Sequence, residues 1–245
     1  MKNRLILLSV VVLPLIMPST LAFAKSSSKV SAPTTYAQAI STITQIIKKH
    51  FHGAIEMPKP TSLLDLRPNY PNLLVSSTPT TYDIGLYAGS KLPINSSNII
   101  IGDANLIFTL HAQKASLPVS IEYQIPFWHF KHPKITHVAL GSGIEGVLAK
   151  EINGNTVEEQ SLTWTENHWK WSIFSTYGQD PIVFSAKKFV HHLRHLQLPA
   201  SSGSGLFSFG ADSPSQTMFI KQGIRYSLTA NAWLAPDFTT TLTTR

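Results

Sequence analysis

Cysteine is absent from the 245 residues, which excludes disulfides, thiolate nucleophiles, cysteine-ligated zinc and iron–sulfur clusters. A lipid anchor of the bacterial lipoprotein kind, which needs a cysteine at its cleavage site, is excluded as well. Charge is also scarce. Charged residues make up 13% of the chain, against a usual share of about a quarter, so Ser, Thr, Asn, Gln and His must cover much of the surface. Acidic residues number only 13 beside 10 histidines, a balance suited to low or variable pH because few paired carboxylates can be lost on acidification. No internal repeat of solenoid or propeller period occurs. What remains is 43% hydrophobic, which excludes a disordered chain.

The clearest positive signal is an address. Lys2 and Arg4 precede an apolar run from Leu5 to Met17, broken only by Ser9 and Pro14, and Ala22-Phe23-Ala24 offers the small residues a signal peptidase reads. The run is about 13 residues, where a membrane span needs roughly 20. Residues 1–24 are therefore expected to be a signal peptide cleaved after Ala24, leaving a secreted or extracytoplasmic chain without a transmembrane span. Loss of Lys2 and Arg4 lowers the formal charge from +7 to +5, and the remaining cations are scattered. Residues 25–35 read as a flexible spacer, and residues 36–245 as one α+β domain, with a sub-division near 115–134 left open.

Within that domain Tyr36, Ile40, Ile43, Ile47 and Phe51 recur at helical spacing, with Gly53 as C-cap. Five prolines between residues 54 and 81 predict an irregular surface connection with a turn at Leu66 to Pro71. Alternation predicts strands around Tyr82–Leu86, Leu106–Ala112, Val119–Ile125, Lys134–Leu140, Gly146–Ile152, Thr156–Trp164 and Trp169–Ser175. Asn153-Gly154 and Thr165 to His168 are the expected turns. Asp180-Pro181 opens a second amphipathic helix near 181–197, with Asp180 as N-cap and Ile182, Ala186, Phe189, Val190 and Leu193 as its buried stripe. Ser201 to Gly205 reads as a loop. Leu206–Phe209, Thr217–Lys221 and Ile224–Thr229 read as short strands. The fold class is α+β: antiparallel sheet with the two helices packed on one face.

Few motifs carry chemistry. Gly141-Ser142-Gly143-Ile144-Glu145-Gly146 fits G-x-G-x-x-G, with Glu166 about 20 residues on, but hairpins follow it where a dinucleotide fold needs a long helix. A glycine-rich turn is the expected reading, and no cofactor is implied. His191 and His195 stand four apart on the second helix and are the weak metal candidates; no carboxylate accompanies them, so a solvated polar face is expected. No G-x-S-x-G elbow exists, and Glu158 with Glu159 would point to opposite faces of a strand. The aromatic hairpin stands out. Trp164, Trp169 and Trp171 are either the core beneath the second helix or a platform for sugar rings or nucleobases, and core is the expected state. Phe127-Trp128-His129-Phe130, bracketed by Pro126 and Pro133, makes Trp128 and His129 a second candidate binding loop.

The order Trp164-x-Glu166-x-x-Trp169-x-Trp171, then Ala186-Lys187-Lys188-x-Val190, Leu198-Pro199, Ser202-Gly203 and Gly223-x-x-Tyr226-x-Leu228 resembles uncharacterised extracytoplasmic proteins of Gram-positive bacteria. Those are similar to lipoprotein and anti-sigma-factor ectodomains. The resemblance spans about residues 82–229, departs where Phe219-Ile220-Lys221 replaces a frequent tryptophan, and implies no catalytic residue. The functional expectation is an exported binding or interaction module for an envelope polysaccharide or another envelope protein, not a nucleic acid. The alternative is an exported hydrolase acting on an envelope polymer.

Overall fold

The computed structural model describes residues 36–59, 70–99, 101, 105–115, 130–176, 178, 180–209, 214–231 and 234–244. The signal segment, the spacer, the 119–125 strand and the Trp128/His129 loop lie outside the described residues. The first helix, α1 (Tyr36–Lys48), buries Ala39, Ile40, Ile43 and Ile47, the face its periodicity predicts. Phe51 is buried just beyond it. Gly53 lies several residues past the helix end and is not its cap.

A short strand β1 (Glu56–Pro58) and then β2 (Tyr70–Ser77) occupy the proline-rich stretch expected to be irregular. This is a correction. β2 is an edge strand paired only with β3 (Thr81–Gly89), so the missing N–H of Pro71 leaves no ladder bond unmade in the sheet interior. The chain continues through β4 (Leu106–Lys114), β5 (Pro133–Gly141), β6 (Ile144–Asn153), β7 (Thr156–Glu166) and β8 (Trp169–Ser175) to α2 (Ile182–Leu193). After it come β9 (Gly203–Ser208), β10 (Ser215–Lys221), β11 (Ile224–Ala230), α3 (Ala235–Thr240) and β12 (Leu242–Thr244).

Ten of these strands form one sheet in the order β2-β3-β4-β11-β10-β9-β8-β7-β6-β5, while β1 and β12 pair separately. The architecture is mainly β with a few helices, compatible with α+β. It is not wholly antiparallel: β8 and β9 run parallel because α2 carries the chain back between them. Period-two register lines up one face across the sheet, with Trp164, Trp171, Gly205, Thr217, Leu228, Leu110 and Ile84 on successive strands. The buried residues of α1 and α2 join this face in one hydrophobic cluster. Leu74, Tyr87 and Ile99 form a smaller cluster of their own.

α2 buries Ile182, Ala186, Phe189, Val190 and Leu193, the stripe the sequence predicts. Asp180 does not cap it. Pro181 holds the N-cap position, and the Asp180 carboxylate instead pairs with the Ser175 hydroxyl while its carbonyl accepts from Gln160 Nε2 at 2.7 Å. Asp180 thus ties the end of β8 to the start of the crossover, and that tertiary use overrides the local capping preference.

Candidate functional site

The turn between β7 and β8 is Asn167-His168, with φ of 51° and 63°. Positive φ at both central residues is the type I′ pattern, which matches the strand twist. The predicted turn from Thr165 is therefore too long by two residues, and the difference matters. Glu166 remains in β7, paired directly with Trp169 and on the same face as Trp164.

Trp164, Trp169 and Trp171 are buried at 3%, 1% and 1% exposure, so they are core. Trp169 and Trp171 stack with ring centroids 5.4 Å apart, and Trp171 continues the stack onto Phe207 at 5.9 Å. Phe189 of α2 drops into the centre of the group, edge-on to Trp164, Trp171 and Phe207. Room for the indoles comes from β9. Gly203 and Gly205, expected in a loop, lie in strand beside Trp169 and Trp171, where a Cβ on Gly203 would stand 2.6 Å from the Trp169 ring and one on Gly205 closer still to Trp171. Glycine propensity alone points to a loop; the flat shelf it gives two tryptophans makes it strand here.

At the turn end of this stack opens a cavity of about 230 Å³ lined by Glu166, Asn167, Trp169, Trp171, three leucines (193, 196 and 198), Ala200 and Ser201. The Trp169 indole N–H is already spent on the Ala200 carbonyl at 3.1 Å, which fixes one wall. The side chain of Glu166 is 9% exposed. Its Oε1 accepts from Arg194 Nε at 3.3 Å, while Oε2 is buried and without a hydrogen-bond partner among the described residues. Arg194 follows α2 as its C-cap, where a cation is favoured by the helix dipole, and also donates to the Ser142 carbonyl at 3.1 Å. The Gly141–Gly143 segment is thus a hairpin turn with positive φ at 141, 142 and 143, anchored to the rim of the cavity. It opens no helix, so the dinucleotide pattern is accidental.

The other sequence candidates fall elsewhere. α2 ends at Leu193, short of the expected limit near 197, so His191 lies on the helix and His195 in the turn after it; both are exposed, with rings 5.2 Å apart, away from the buried stripe. Among the described residues no group of three or more His, Asp or Glu could hold a metal ion. His192 instead pairs with Asp237 of α3 at 2.9 Å. Two features had no sequence signal at all. The Glu166–Arg194 pair joins residues 28 apart, through a helix end whose direction no local pattern reveals. On the sheet, Asp83, His111 and Ser227 sit side by side on β3, β4 and β11, with His111 Nδ1 at 2.5 Å from Asp83 Oδ1.

No described helix is long and apolar enough to cross a membrane. No family model, curated protein or solved structure matches the chain.

Proposed function

We propose that this chain is an exported, extracytoplasmic binding module, and that the cavity at the turn end of the tryptophan stack is its ligand site. The signal-type N-terminus and the motif likeness to extracytoplasmic ectodomains support the address. The observation that carries the site is Glu166: a side chain nine-tenths buried that lines the cavity beside Trp169 and Trp171 and is held there by Arg194. The ligand we favour is an envelope polysaccharide, because indole and leucine walls beside a polar acceptor suit the apolar face and hydroxyls of a sugar ring. Affinity electrophoresis through isolated cell-wall polysaccharide tests this. The wild-type chain should be retarded, and Ala200→Phe, which fills the cavity from its wall, should migrate freely with an unchanged melting temperature. Retardation equal in both would remove the cavity from the reading; capture of an envelope protein instead of polysaccharide would change the ligand class.

The exported hydrolase draws on a different place, the Asp83–His111 pair beside Ser227. Ser227 Oγ there accepts from Gln216 Nε2 at 2.8 Å. One carboxylate, already engaged by Arg194, lines the cavity, whereas cleavage of a glycosidic bond uses two. Release of reducing ends from wall polysaccharide, lost in both His111→Ala and Ser227→Ala, would favour the hydrolase.

A further inference from the structure

We infer that the outer edge of β5 takes up an extended acidic segment of a partner protein as a further strand of the sheet. The residues lining the cavity take no part in it. The two edges of the ten-stranded sheet are finished differently. On β2 the edge is sealed. The Asn95 side-chain amide accepts from the Val75 N–H at 2.6 Å and donates to the Val75 carbonyl at 3.0 Å, and the Asn95 N–H donates to the Leu73 carbonyl at 2.9 Å. One asparagine thus stands in for a neighbouring strand. β5 has no such cover. It pairs with β6 alone, and among the described residues no hydrogen bond reaches the outward-facing backbone groups of its nine residues. Pro133 to His137 are exposed on both faces of the strand, Ile135 at 52%. An edge in this state is a template for pairing with another chain. Pro133 and Lys134 guard its first two positions in the usual way, but Ile135-Thr136-His137-Val138 brings strand formers and no proline, lysine or carboxylate.

Charge and pattern select the occupant. Lys134 stands directly opposite Lys150 in register, and neither has an ion-pair partner among the described residues. Like charges directly opposite each other destabilise a sheet, and an acid on an added strand beside Lys134 relieves them. The two acids of β6 are already engaged: Glu145 pairs with His137, and Glu151 Oε2 accepts from the His132 N–H at 3.4 Å. A second copy of β5 does not supply the acid, because residues 131–141 hold Lys131 and Lys134 and no carboxylate. Alternation fixes the rest. Lys134 and Thr136 share one face of the strand, Ile135 and His137 the other. The fitting segment therefore alternates acids, on the Lys134 face, with apolar residues on the Ile135 face; its backbone supplies affinity and its side chains the selection.

Hydrogen–deuterium exchange of the full chain tests this with two capped peptides of matching length, one alternating valine with glutamate and the other valine with lysine. The glutamate peptide should bind, slow amide exchange across residues 133–141 and leave residues 70–77 unchanged. The lysine peptide should bind at least about fivefold more weakly. Lys134→Glu, checked for an unchanged melt, should reverse that ranking. A glutamate peptide with proline at its centre should lose binding, because the N–H it lacks is one the added strand must donate. Absence of binding by the glutamate peptide, or protection outside residues 133–141, overturns the inference. Equal binding of the two charged peptides overturns the acidic partner, and full binding of the proline peptide overturns strand addition. Sedimentation of the chain alone as a dimer protected over residues 133–141 overturns the foreign segment in favour of a second copy.

Discussion

Trp171 lies across Gly205, its register partner on the neighbouring parallel strand, so closely that a Cβ there would overlap the indole ring. The contact joins the two halves of the sheet. β8 ends the run of hairpins from β5, β9 begins the run through β10 to β11, and this pair is where they meet. Phe189 of α2 packs on the same indole from above, so one residue touches the crossover helix and both strands it connects.

Gly205→Ala should therefore destabilise by about 1–3 kcal/mol through overpacking, measured by urea unfolding. Its neighbour Ser204 is a useful contrast. The Ser204 hydroxyl is buried without a hydrogen-bond partner among the described residues, so Ser204→Ala should be neutral or slightly stabilising. A Gly205→Ala protein as stable as wild type would show that the indole is free to move aside.

Phe189→Ala should cost roughly 3–5 kcal/mol, because it empties the centre of the Trp164, Trp171 and Phe207 group. His191→Ala, on the exposed side of the same helix, and His195→Ala, exposed in the turn after it, should each stay within about 0.5 kcal/mol. Thermal or denaturant melts of the three variants decide it, and equal losses would mean α2 presents a different face.

Alkaline stability should follow Tyr82 and Tyr226. Burial pushes the Tyr82 hydroxyl far above its ordinary range, and nearby Tyr226 adds to it; burial likewise raises Tyr226, aided by the Glu56 carboxylate. The Tyr82 hydroxyl donates to the Glu56 carbonyl and accepts its N–H, both at 3.0 Å. The folded state favours the neutral phenol, so its contribution is fully present below the unfolded value of about 10 and is lost as pH rises beyond it. For Tyr82 alone the slope above that point is about 1.4 kcal/mol per pH unit. Absorbance at alkaline pH should show part of the tyrosine set ionising only with unfolding. Ionisation of all seven tyrosines near pH 10 with native circular dichroism would refute the assignment.

Export is checked by N-terminal sequencing of chain recovered from the envelope or medium, which should begin at Lys25. Recovery of the intact chain from the cytosol would contradict the signal reading.

Local pattern was enough where one chain segment faces one environment. The α2 stripe, the α1 face and the limits of β8 follow from hydrophobic period, because each element buries a single side. The glycine-rich Gly141–Gly143 turn is local for the same reason: positive φ is a property of a few residues. Where a distant partner sets the environment, sequence reading stops. Pro71 sits in a strand only because β2 has an edge to put it on, Asp180 leaves the helix cap for Ser175, and Gly203 and Gly205 become strand because tryptophans need their flatness. The composition set the absence of disulfides and the polar surface, and the N-terminal pattern set the expected address. Only the tertiary structure decided that the tryptophans are core and that Glu166 meets Arg194 at a cavity mouth. Alternation along a strand tells which residues share a face, and nothing in it tells what that face will be pressed against.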